Sequence, residues 1–218
     1  MNIMTNKKLQ LYWDQMAMND ISFHADFTEN LFCELVPKAS NILDIGCGYG
    51  RILNTLLEYG YTQLIGTDIS FEMLKKSMQL HTDLKLIHHG DVILPFSDAS
   101  FDAVILSSVL GCITENTKQN LLIKEIARVL KKNGVVYISD FYINDDLKNI
   151  TRYNTFKNTI EQPYGIFTLA EGVPQRHHSP QYIKELLSIF KAELFESRIF
   201  QTMSGDKSKG FVYLGCKN

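Results

Sequence analysis

Two acids and a glycine-rich loop carry the strongest chemical signal in the chain. In NILDIGCGYG, residues 41–50, an apolar run ends in Asp44 and is followed by Gly46, Gly48 and Gly50. Glycines without a Cβ let the backbone turn sharply and approach a ligand, and the start of a following helix offers free N–H groups. Spacing separates the ligands that such a loop can take. A dinucleotide fingerprint, G-x-G-x-x-G, needs a glycine where this chain has Arg51. A phosphate loop of the G-x-x-x-x-G-K-[ST] type needs a lysine that does not follow. A carboxylate at Asp44 would also repel a pyrophosphate, by up to about 4 kcal/mol at ~4 Å if the effective dielectric is near ~20, and would attract an ammonium. Asp68 lies twenty-four residues further on, in LIGTDIS. At a strand tip it can accept both hydroxyls of an unphosphorylated ribose, each bond worth roughly 1.5 to 3 kcal/mol. A ligand with a ribose, an ammonium and a carboxylate but no phosphate fits S-adenosylmethionine better than NAD.

Elements in a fixed order must place these groups. NILDI, QLIGTD, LKLIHH, FDAVILSS and GVVYISDF read as strands, and helix-type segments lie between them, the pattern of a parallel sheet covered on both faces. Residues 51–59 and 71–80 have apolar positions recurring at three and four, with Ser70 as N-cap of the second. A third helix is predicted over 115–131, with Thr114 as its cap and Gly134 taking a left-handed turn that closes it. Beyond Phe141 the alternation breaks. Residues 142–178 mix Pro163, Gly165, Gly172 and Pro174 with Tyr153, Phe156, Tyr164 and Phe167, and read as an insertion packed over the sheet's edge. Ser179 and Pro180 restart a helix, and AELFESRIFQT and GFVYLGCKN close the chain as an antiparallel hairpin. Residues 1–40 read as a helical lead-in to one domain spanning 1–218.

Composition narrows the partners. With 218 residues, 45% of them hydrophobic, the chain can bury one sizeable core. A formal charge of −2 gives no global attraction for nucleic acid or anionic lipid. The absence of a membrane-length apolar run or signal-peptide pattern points to a cytoplasmic protein with no membrane partner. Cys33, Cys47, Cys112 and Cys216 are scattered, so neither a metal site nor a disulfide framework is expected.

The stretches ILDIGCGYGR, IGTDIS, GDVILPFSDASFDAVILSSVL and IARVLKKNGVVYISDF resemble successive motifs of the class I S-adenosylmethionine-dependent methyltransferases, most closely the broad group that methylates small molecules. The similarity covers residues 41–141. It implies an α/β fold with a Rossmann-like seven-stranded, mostly parallel sheet in the order 3-2-1-4-5-7-6 and helices on both faces. It implies that Asp44 and the loop of Gly46, Cys47, Gly48 and Gly50 face the methionine moiety of S-adenosylmethionine. Asp68 would face the ribose, Ile69 the adenine face, Asp91 the adenine amino group, and the Val92 N–H a ring nitrogen. Ser107 would line the floor near the acceptor. Two departures stand out: DVILPF has one residue where the family commonly has two, and Gly111 and Cys112 occupy the place of a histidine pair found in many members.

Methyl transfer from a sulfonium needs a base only when the acceptor must lose a proton, so no catalytic base is named. Acceptor-side candidates are Tyr12, Trp13, Ser108, Tyr142, His177 and His178. The lack of an N-P-P-Y or D-P-P-Y stretch after the fourth strand argues against DNA amino-methylation and for a small-molecule acceptor. Two other readings use the same acids: a non-catalytic module binding S-adenosylmethionine, and a nucleotide-linked oxidoreductase on a similar sheet.

Overall fold

The computed structural model describes residues 3–19, 27, 29–80, 84–155, 163–202 and 205–218. Its centre is a seven-stranded sheet in the order β3-β2-β1-β4-β5-β9-β8. The strands are β1 (Ile42–Ile45), β2 (Leu64–Asp68), β3 (Lys85–His88), β4 (Phe101–Ser107), β5 (Leu130–Phe141), β8 (Phe190–Gln201) and β9 (Lys207–Lys217). The first five pair in parallel, and β9 runs antiparallel to both β5 and β8. Counted within this sheet alone, the strand order is the one the resemblance implies.

Alternation along the central strands splits the core in two. Leu43, Ile45, Val104, Leu106, Val136 and Ile138 face one cluster with α5 (Asn116–Val129) and α7 (Pro180–Leu186). Ile42, Ala103, Ile105, Val135 and Tyr137 face the other, with α2 (Glu29–Leu35) and α3 (Arg51–Glu58). Burial on both faces explains why these strands read as near-continuous apolar runs. The remaining helices are α1 (Ile3–Ala17), α4 (Phe71–Leu80) and α6 (Leu147–Thr155). None of the helices in the described residues is long and apolar enough to cross a membrane.

The caps expected at α4 and α7 are present: Ser70 Oγ accepts the Met73 N–H at 3.1 Å, and Ser179 Oγ accepts the Tyr182 N–H at 3.2 Å. The α5 boundary is corrected. Its N-cap is Glu115 rather than Thr114, and makes no side-chain cap bond. At the other end the chain passes from Val129 directly into β5, and the left-handed residue is Asn133, φ 61°, not Gly134. Asparagine tolerates that conformation. Gly134 is required for room, because a Cβ there would lie 2.9 Å from the Lys131 carbonyl oxygen. The 142–178 segment contains α6 and a separate antiparallel pair, β6 (Ile166–Thr168) and β7 (Pro174–Arg176). Phe156 of that segment lies outside the described residues.

Candidate active site

The carboxyl ends of β1, β2, β4 and β5 gather the chemically capable residues. Parallel register aligns the tips: Asp44 pairs with Gly66 and Ile105, and Ser107 with Ser139. The loop after β1 is pinned to β2, since the Gly46 and Cys47 N–H groups both donate to the Thr67 carbonyl, at 2.7 and 2.9 Å. Gly46, Gly48 and Gly50 all have left-handed φ, of 71°, 56° and 84°. A Cβ on Gly50 would sit 2.4 Å from Ser77 Oγ, whereas one on Gly48 would meet nothing within 4 Å. The loop therefore packs inward at Gly50 and presents open backbone at Gly48.

Asp68 organises the same loop. Its Oδ2 accepts the Gly48 N–H and its Oδ1 the Ser70 N–H, both at 2.8 Å. Burial raises its carboxyl above the usual range, and these two N–H groups pull it back down. A carboxylate has about four acceptor directions, so both oxygens retain one for a ligand hydroxyl. Asp44 is 2% exposed. Burial pushes it up to about 8, with Arg51 lowering it and the Asp68 charge adding to the rise. Such a buried acid is suited to a cation. Open backbone at Gly48, spare acceptors on Asp68 and a buried acid at Asp44 together fit an ammonium-bearing nucleoside without phosphate.

The adenine-side candidates form a looser group. His88 Nε2 lies 2.8 Å from the Ile69 carbonyl oxygen, and a Cβ on Gly90 would run into the Ile69 side chain, so Ile69 is fixed by its surroundings. Asp91 is exposed, its Oδ1 accepting the Ile93 N–H at 3.3 Å. The Val92 side chain is partly buried against the core.

A second cluster faces the first across the tip of β4. Ser107 Oγ pairs with Ser139 Oγ at 2.9 Å, and Ser108 takes a left-handed φ of 59°. The short 3-10 turn Leu110–Cys112 follows. Cys112 Sγ lies 3.8 Å from Gln175 Oε1 and is hydrogen-bonded to Trp13. Burial and the Asp140 carboxylate push this thiol up to about 12. Tyr12, packed edge-on to Trp13 at 5.0 Å, is 7% exposed. Burial, then Glu171 and Cys112, push its phenol up to about 12 as well.

Asp140 was missed by sequence reasoning. It ends the fifth run, YISDF, so the rule that singled out Asp44 and Asp68, an acid at a strand tip, would have found it. Its Oδ2 accepts the Gly111 N–H at 2.9 Å and its Oδ1 the Phe141 N–H at 2.7 Å, which anchors the Leu110–Cys112 turn. Burial raises it to about 6, opposed by those N–H groups.

Three acceptor-side candidates lie in packed surroundings. Tyr142 is buried against Phe211 at 5.1 Å. His178 Nε2 lies 2.9 Å from Gln119 Nε2, and His177 Nδ1 lies 2.5 Å from the Tyr153 hydroxyl. Burial, first, and the nearby Arg152 and Arg176 charges lower His177 and His178 respectively to about 3. Among the described residues no group of three or more His, Cys, Asp and Glu is placed to hold a metal ion.

Comparison with known proteins places the chain in a family. Residues 43–138 match the family described as methyltransferase domain. A protein of Methanocaldococcus jannaschii is 32% identical over 198 residues, covering 85% of this chain and 75% of its own. A solved S-adenosylmethionine-dependent methyltransferase from Methanosarcina mazei is 25% identical, covers 88% of this chain and 99% of its own, and aligns with a TM-score of 0.79. The tRNA U34 carboxymethyltransferase of Campylobacter jejuni is 29% identical over 111 residues, 48% of this chain, which spans only 36% of that enzyme. The chain belongs to the class I S-adenosylmethionine-dependent methyltransferases, enzymes with S-adenosylmethionine as cofactor.

Proposed function

We propose that the protein is a cytoplasmic enzyme that transfers the methyl group to a small-molecule acceptor by in-line displacement, the whole chain acting as one domain. The observation that carries this reading is the composition of the acceptor wall. Tyr12 and Trp13 come from the N-terminal helix, Cys112 from the turn after β4, and Gln175 from the hairpin of the 142–178 segment. A wall assembled from both the lead-in and the insertion suits a compact acceptor. A nucleic acid calls for an excess of positive charge on one face, and the formal charge of −2 offers no general excess.

In this reading Asp68 accepts the ribose hydroxyls, while Asp44 and the loop of Gly46, Cys47, Gly48 and Gly50 hold the methionine moiety. Ile69, Asp91 and Val92 meet the adenine, and Ser107 floors the site. The cofactor supplies an activated methyl group and a good leaving group. The chain's own residues bind, orient and exclude water, and alignment of this kind contributes on the order of 7 to 11 kcal/mol. The Cys112 thiol and the Tyr12 phenol, both held near 12, stay protonated at neutral pH. Asp140 anchors the Leu110–Cys112 turn through backbone N–H groups, and in this reading its part is to shape the wall. Transfer thus rests on positioning rather than on a base in this wall.

Isotope-labelled S-adenosylmethionine incubated with the protein and either a metabolite extract or bulk tRNA tests the proposal. Label is expected in the small-molecule fraction. Label in tRNA alone would replace it with the reading that the tRNA U34 relative favours, and label in neither would end both.

A further inference from the structure

The N-terminal helix touches the ribose end of the site as well as the acceptor wall, through an aspartate outside the cofactor motifs. Asp14 Oδ1 accepts the Ser70 hydroxyl at 2.6 Å and the Glu72 N–H at 3.3 Å. Ser70 is fully buried, and its own N–H donates to Asp68 Oδ1 at 2.8 Å. One serine therefore joins α1, the start of α4 and the carboxylate read as the ribose acceptor. Contacts on either side keep α1 in line: Asn6 Nδ2 donates to the Gly90 carbonyl at 3.1 Å, and Lys76 Nζ to the Asn19 carbonyl at 3.3 Å. Immediately before Asp14, the same helix carries Tyr12 and Trp13 to Cys112.

We infer that Asp14 is a positioning residue: through Ser70 it fixes Asp68 and latches α1 across the site, so that one helix both retains the cofactor and completes the acceptor wall. The inference rests on the reading of Asp68 as ribose acceptor. An O–H···carboxylate bond of this length belongs to the strong, charge-assisted class. The competing role for Asp14 is an acid near the start of α4, where its charge alone would favour the helix N-terminus. Asparagine separates the two, since it keeps an acceptor oxygen for Ser70 and Glu72 but carries no charge.

Trp13 is the only tryptophan in the chain, so its fluorescence reports α1 directly. Acrylamide quenching of Trp13 and stopped-flow release of S-adenosylhomocysteine are measured for wild type, Asp14→Ala, Asp14→Asn and Ser70→Ala, and for the Asp14→Ala/Ser70→Ala pair. Asp14→Ala is expected to expose Trp13 and to speed release about tenfold, the equivalent of one charge-assisted bond. Asp14→Asn, which keeps the acceptor oxygen but loses the charge assistance, is expected to fall between wild type and Asp14→Ala, and the double variant should release no faster than Ser70→Ala alone. Unchanged quenching and release in Asp14→Ala would overturn the inference. So would a loosened Trp13 with unaltered release, an additive double variant, or equal damage from Asp14→Asn. The ribose reading fails separately, if Asp68→Asn binds S-adenosylhomocysteine as tightly as wild type.

Discussion

The Asp68 carboxylate accepts the Gly48 amide at 2.8 Å, so a side chain at the tip of β2 holds the loop that follows β1. Asp68 is thereby asked to shape the loop and, in the proposed function, to bind the ribose. Asp68→Ala removes both roles and leaves the Gly48 and Ser70 N–H groups short of their acceptor. S-adenosylhomocysteine affinity, measured by calorimetry, is expected to fall by about two orders of magnitude or more, as two lost hydroxyl bonds imply. Asp68→Asn keeps one acceptor oxygen and should lose less.

The glycine loop separates binding from stability. Gly50→Ala places a Cβ 2.4 Å from Ser77 Oγ at a φ of 84°, and should cost roughly 1–3 kcal/mol in urea denaturation. Gly48→Ala meets no neighbour within 4 Å, so only the left-handed backbone, about 1–2 kcal/mol, opposes it. Its methyl group stands in the open space before the loop. Cofactor affinity should therefore drop further for Gly48→Ala than its stability loss explains, and equal binding by both variants would place the ligand elsewhere.

How far these residues were legible depends on the range of the contact. The strand positions of Asp44 and Asp68 and the Ser70 and Ser179 caps rest on patterns within a few residues and are found there, whereas the strand order followed from the family resemblance and is found as that implies. The end of α5 was misplaced because a helix running straight into a strand leaves no turn for Gly134 to make. Asp14 and Ser70 meet across 56 positions, and Gly111 and Asp140 across 29. Asp140 alone is readable as an acid near a strand tip, but the pairings are set by topology, which brings strand tips and the N-terminal helix together, and no local spacing announces the partners.

Asp44 makes the site sensitive to pH. In the ligand-free protein burial raises its carboxyl to about 8, against about 4 in an unfolded chain. The folded state holds that proton more tightly, so this group's contribution to stability is full below about 4 and is lost as pH rises towards 8. Asp44→Asn should flatten that part of the stability profile in thermal melts. Pairing with an ammonium needs the ionised acid, so S-adenosylhomocysteine affinity should increase between pH 6 and 8 with release of a proton, seen by calorimetry in buffers of different ionisation enthalpy. An affinity that stays flat over that window would show that Asp44 does not meet the cation.

His177 tests the absence of a base. Its Nδ1 is 2.5 Å from the Tyr153 hydroxyl, its Nε2 is 3.4 Å from Arg152 Nη2, and its ring stacks on Phe141 with centroids 5.5 Å apart. Burial lowers its pKa to about 3, against about 6.5 when unfolded. The sign is opposite to that of Asp44: stability from a neutral buried histidine is complete above about 6.5 and is lost as pH falls towards 3. His177→Gln should cost roughly 1–3 kcal/mol at pH 7.5 through the Tyr153 contact, and the gap to wild type should narrow at pH 5. Methyl transfer to an acceptor found in the extract should keep its kcat within about threefold, at a temperature where circular dichroism shows the variant folded. A loss of a hundredfold or more in kcat with the fold intact would instead make this histidine the missing proton acceptor, because a purely structural contact, once the chain is folded, has no reason to govern the chemical step.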